Sequence, residues 1–217
     1  MNPALIELII LAGIAVFLFL RLRSVLGTRE GFEKPRMQPK NDAPKRDFKV
    51  IDGGEDKDIT DNVEKNSKSA KALKIIKEKD ETFTVNEFLS GARSAYEWIL
   101  MSFEKNEIDD IRELLSEEVA EAFDSVVEQR ISQGLTIEAE FIGVREMKLV
   151  DASYNSKTNT AEIAVSFIGE MTSVVKNSSG EIVEGDSKQI KRQKDTWTFS
   201  KDIQSSDPNW LLVATGE

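Results

Sequence analysis

The chain has 217 residues, 40% of them hydrophobic, which is enough for a substantial core with appendages. It contains no cysteine and no histidine, so disulfides, thiolate chemistry, histidine-based triads and the commonest metal ligand are excluded. The net charge of −10 is unevenly spread: residues 21–80 are net basic and residues 81–217 strongly acidic. An acidic domain is poorly suited to direct nucleic-acid contact, where phosphates need clustered cations.

Ala4 to Leu20 is apolar except for Glu7, and Leu22 extends the run past Arg21. A run of roughly 17–19 apolar residues is near the lower limit for spanning a bilayer. Arg21, Arg23 and Arg29 follow the run rather than precede it, and no small-residue cleavage site is visible, which favours a retained anchor over a cleaved signal peptide. The positive-inside rule then places everything after Arg21 in the cytoplasm, as expected of a single-pass protein of the inner membrane. The expected organisation is a transmembrane anchor over residues 1–22, a disordered tether over 23–68 and a folded domain over 69–217.

Thr28 to Ser67 shows no sustained periodicity and contains Pro35, Pro39, Pro44 and the pair Gly53-Gly54, so it is expected not to order itself. Its basic part, Arg29 to Lys49, suits either contact with anionic lipid or a solvated tether. Ser69 to Lys79 reads as a short amphipathic helix with Ala72, Leu73, Ile75 and Ile76 on one side. Its cations Lys71, Lys74, Lys77 and Lys79 fit docking on a partner or on lipid, and equally a helix packed on its own domain.

The domain begins clearly at Phe83. Thr84-Val85-Asn86-Glu87 is a capping box, with Phe83 and Phe88 in hydrophobic-staple positions. Phe88, Leu89, Ala92, Ala95, Tyr96, Ile99, Leu100 and Phe103 recur at helical spacing, and Gly91 inside this helix implies a close packing contact. A short helix carries Ile108, Ile111, Leu114 and Leu115. Ser116 caps a third, which Gly134 stops.

From Thr136 the period becomes two. Strands are expected from Thr136 towards Val150 with a bend at Gly143, from Thr160 to Phe167 after a turn at Asn155–Asn159, around Trp197 and Phe199, and from Trp210 to Ala214. Asn177-Ser178-Ser179-Gly180 breaks the chain, and the stretch to Gly185 reads as an exposed excursion. Helices followed by strands joined through turns give an α+β fold, with helices packed on one face of a four-stranded antiparallel sheet.

Two segments carry a resemblance. Glu87-Phe88-Leu89-Ser90-Gly91-Ala92-Arg93-Ser94-Ala95-Tyr96-Glu97 and Asp207-Pro208-Asn209-Trp210-Leu211-Leu212-Val213-Ala214-Thr215-Gly216 resemble the opening helix and the ending of the C-terminal domain of mitochondrial import inner-membrane translocase subunit 44. The chain is most similar to bacterial membrane-anchored members of that family. Asn106-Glu107 departs from the Gly-Asp expected after the first helix, at a surface turn. The resemblance implies a nuclear-transport-factor-like or cystatin-like fold whose concave sheet face is commonly a cleft. It also implies a non-enzymatic membrane-associated scaffold with a translocase, chaperone or ribosome component as partner.

No phosphate loop, cofactor motif or convergent catalytic set is visible, and the abundant carboxylates read as solvated faces. The apolar sheet face of Phe141, Ile163, Val165, Phe167, Trp197, Phe199 and Trp210 is either ordinary core or the wall of a pocket for an apolar ligand. The expected function is an adaptor that recruits a protein partner to the membrane. The alternatives are a carrier or sensor of lipid and a membrane dock for ribosomes. No metal, cofactor or direct nucleic-acid partner is expected.

Overall fold

The computed structural model describes residues 56–216, so residues 1–22, with Arg21 and Arg23, and Arg29 lie outside the described residues. Among the described residues no helix is long and apolar enough to cross a membrane. The elements are α1 (Lys57–Thr60), α2 (Lys68–Lys79), α3 (Val85–Glu104), a 3-10 helix (Ile108–Leu114), α4 (Glu117–Ser132), and strands β1 (Thr136–Asn155), β2 (Thr160–Lys176), β3 (Ile182–Asp202) and β4 (Leu211–Gly216). The four strands form one antiparallel meander in the order β1-β2-β3-β4. The fold is α+β.

The ordered fold begins earlier than expected. The tether was expected to run to residue 68, but α1 lies inside that stretch and Ile59 is buried in the core. The reason is Asp58. Its carboxylate accepts hydrogen bonds from the backbone N–H of Val85 (2.7 Å) and of Asn86 (3.0 Å), at the start of α3. A helix leaves its first N–H groups without internal partners, and a carboxylate there also meets the positive end of the helix dipole. Thr84 completes the cap by accepting from Glu87 N–H at 3.1 Å, and its hydroxyl donates to the Glu87 carboxylate at 3.0 Å. The staple forms as expected, with the Phe83 and Phe88 rings 6.2 Å apart.

Burial alone would raise the Asp58 pKa, but the Val85 N–H, the Lys77 ammonium and the Asn86 N–H more than offset it, and the net shift is downward. A carboxylate whose pKa is depressed on folding stabilises the fold above its unfolded pKa, and that contribution is lost as pH falls through the folded value. Asp58→Asn should therefore lower stability by about 1–2 kcal/mol at neutral pH, with the gap to wild type closing below about pH 4. Denaturant midpoints of both proteins across pH check this. A fragment starting at residue 69 should lose more, since it also removes the buried Ile59 and the Ser67 cap of α2.

At its other end α3 stops in a Schellman arrangement. Asn106 adopts φ 62°, its N–H bonds to Phe103 O, and Glu107 N–H bonds to Ser102 O. Asparagine is the best substitute for glycine at this left-handed position, which is why Asn106-Glu107 serves as the turn.

β1 bulges between Phe141 and Gly143, at the expected bend, and again further along. Such bulges increase local twist, and α2 and α3 both pack against β1. The Ser69 hydroxyl fixes α2 to β1 by donating to Asp151 Oδ1 at 2.7 Å. The stretch to Gly185 is not a free excursion: from Ile182 it pairs with the end of β2. The extra residues instead lie at 187–190, where the register jumps from Met171↔Lys191 to Ser173↔Asp186.

Candidate functional site

The aromatic side chains divide into two groups. Ile163, Val165 and Phe167 are fully buried, and Trp197 nearly so. Tyr96 of α3 stacks on Phe167, with ring centroids 4.4 Å apart at 9°, and leans on Trp197 at 4.7 Å. These four positions of the expected pocket wall are core, because α3 fills the sheet's curve. Phe141 is partly buried and meets the edge of the Tyr96 ring. Phe199 is core as well, at 2% exposed, and Trp210 is partly buried; these two also border a cavity.

That cavity is a cleft of about 460 Å³ beside the first half of α3, open to solvent. One wall is an aromatic cluster. Phe88 packs against Trp210 (4.8 Å) and Phe199 (5.9 Å), and Phe83 against Trp210 (5.9 Å). Trp98, 53% exposed, stands in the other wall. Pro208 and Asn209, in the loop before β4, line one side. The Lys201 ammonium and the Asp80 carboxylate meet at 3.4 Å on the rim. The Thr82 hydroxyl, its backbone N–H and Lys201 hold the Asp80 carboxyl below the usual range. Large aromatics beside a few fixed polar groups are the composition of sites that bind apolar side chains or small ligands.

Gly91 lines this cleft. The expected close contact is not there: a Cβ added at Gly91 would meet nothing within 4 Å. The glycine keeps space open rather than admitting a neighbour. Gly91→Ala should accordingly stabilise the domain by up to about 1 kcal/mol, since alanine is the better helix former. It should at the same time weaken whatever binding the cleft performs. Thermal unfolding together with partner capture from membranes reads both effects.

The lysines of α2 also divide. Lys77 pairs with Asp56 at 2.7 Å and Asp58 at 3.0 Å, so it holds α1 rather than standing free for docking. Lys71 and Lys74 are exposed. Sequence reasoning offered Phe199 and Trp210 as pocket wall but missed the rest of the cleft, because its lining comes from four separated segments, and missed Trp98 because it falls off the apolar face of α3. The one available signal was Gly91, whose helical cost has no packing return.

The Tim44-like domain model matches residues 69–217. The chain belongs to the Tim44-like domain family. Its members are membrane-associated scaffolds rather than enzymes. No curated protein matches this chain. Among solved structures it is similar to the intermembrane space region of the chloroplast protein ARC6, with 8% identity over 59% of this chain and 94% of that one and a TM-score of 0.40. The Tim44-like match begins one residue into α2 and takes in every strand, while α1 and its Asp58 cap precede it.

Proposed function

We propose that this Tim44-like protein is a membrane-anchored, non-enzymatic adaptor. Its cleft holds an apolar segment of a protein partner at the cytoplasmic face of the inner membrane, in protein translocation or membrane-protein biogenesis. The observation that carries the reading is the family match across residues 69–217. The apolar run Ala4 to Leu20, with Arg21, Arg23 and Arg29 behind it, supports an anchor oriented with the domain in the cytoplasm. The exposed Trp98 beside the Phe88–Trp210 cluster supports capture of a protein segment, since aromatic anchors dominate such contacts. The acidic domain favours a basic partner, such as a translocase, chaperone or ribosome component, and disfavours direct RNA contact.

The lipid-carrier reading has less support, because α3 packs against most of the sheet face that would have held the ligand. Arg21, Arg23, Arg29, Lys71 and Lys74 belong to the membrane side of the proposal. The test is extraction. After carbonate washing the full chain should stay with the membrane pellet, while a chain lacking residues 1–22 should be released. Protease added from the periplasmic side should leave the domain intact. Release of the intact protein, or digestion of the domain from that side, would contradict the anchored arrangement.

A further inference from the structure

We propose that α1 is a detachable strap that holds the cleft in shape and opens as a unit while the sheet stays folded. α1 has only four residues and precedes the Tim44-like match. In sequence it follows the stretch that carries the proposed anchor. A pull on that stretch, or a partner bound to it, therefore acts on α1 before it acts on the rest of the domain.

One carboxylate fastens the strap. Asp58 Oδ2 accepts from Val85 N–H at 2.7 Å and from the Lys77 ammonium at 3.0 Å, while Oδ1 accepts from Asn86 N–H at 3.0 Å. Lys77 lies in the last turn of α2, and Val85 and Asn86 open α3, so Asp58 clasps two helix ends at once. Between those ends runs the connection from Asp80 to Thr84, and Asp80, Thr82, Phe83 and Thr84 all line the cleft. Phe83 reaches from this connection to Trp210, with ring centroids 5.9 Å apart. Releasing Asp58 takes a partner from the first N–H groups of α3 and lets the two helix ends shift at the cleft wall.

The rest of the fastening is slight. Lys77 also pairs with Asp56 at 2.7 Å, and Ile59 is the one buried side chain of α1. The sheet, by contrast, is laddered through four strands around the fully buried Ile163, Val165 and Phe167. Segments with few buried apolar contacts open locally, at lower free energy than the core. The closed strap favours the shaped cleft, and by linkage a segment bound in the cleft favours the closed strap. That second step rests on the reading of the cleft as a partner site; the first does not.

Two measurements on the full chain in detergent test the strap without a partner. In native-state hydrogen exchange, the amides of Asp61, Val85 and Asn86 should share one rate, with a weaker denaturant dependence than those of Ile163–Phe167. The protein has three tryptophans, so fluorotryptophan labelling gives one fluorine resonance for each. Asp58→Asn combined with Ile59→Ser removes the clasp and its buried side chain. This variant should shift the Trp210 resonance and leave that of Trp197 in place, and Asp58→Asn alone should shift it part of the way. Unrelated exchange rates, an unmoved Trp210, or an equal shift at Trp197 would overturn the proposal. In native membranes, protein adducts from benzoylphenylalanine at position 98 should fall roughly fivefold in the double variant. Equal yields from both proteins would overturn the coupling to the partner. No adduct even with the strap unaltered speaks against the partner reading alone, since exchange and the Trp210 resonance judge the strap.

Discussion

Phe167→Ala is expected to destabilise the domain by about 3–5 kcal/mol, much of the stability of a typical domain. Its ring is fully buried on β2, stacked on Tyr96 and set edge-on to Trp197 at 6.0 Å, so truncation removes a large apolar surface and opens a cavity that the flanking strands cannot close. Trp197→Ala should cost a similar amount, for the same reason. Phe141→Ala should cost less, because that ring is only partly buried and meets Tyr96 at its edge, 6.1 Å away. Denaturant unfolding of the three variants checks the order. Equal losses at Phe141 and Phe167 would contradict it.

Gly169→Ala should cost about 2–5 kcal/mol through one added methyl group. Gly169 lies on β2 where an added Cβ would sit 2.7 Å from the Tyr96 hydroxyl oxygen. The Tyr96 ring cannot retreat, since Phe167 and Trp197 hold it. Its hydroxyl donates to Asp195 Oδ2 at 2.5 Å, inside the core, while Gln193 donates to Oδ1 at 3.0 Å. Burial together with the neighbouring Asp195 carboxylate pushes the Tyr96 pKa far up, so it stays a neutral donor. The methyl group therefore either displaces the ring or breaks a hydrogen bond to a buried carboxylate. Tyr96→Phe alone should cost about 1–3 kcal/mol, for loss of that bond. In the Gly169→Ala background the same change should cost far less, because removing the hydroxyl relieves the clash. A double-mutant cycle by denaturant unfolding measures this coupling, and strict additivity would contradict the contact.

Periodic features were the ones legible in advance. The α3 face from Phe88 to Phe103, the Thr84 cap and the alternation of Ile163, Val165 and Phe167 are local patterns, and each appears in the fold. The resemblance at the two ends of the domain also identified the family. What escaped notice depends on contacts distant in sequence. Asp58 caps α3 from 27 residues away, so a polar, glycine-containing stretch hid an ordered segment. Asp195 reads as an ordinary strand-edge carboxylate until Tyr96, 99 residues earlier, is seen to meet it. The same limit misdirected the candidate site. Alternation shows that Phe167 and Phe199 share a sheet face, but not that α3 buries both, through Tyr96 and Phe88, while a cleft opens beside Phe199 and Trp210.

The central claim is that the cleft beside α3 holds a segment of a protein partner. Placing benzoylphenylalanine at Trp98, and separately at Glu162 on the opposite, solvent-facing side of the sheet, tests it by photo-crosslinking in native membranes. Position 98 should yield a discrete protein adduct that position 162 does not, and Gly91→Leu should abolish it by filling the cleft. Lipid adducts alone from position 98, or the same protein adducts from both positions, would contradict the account.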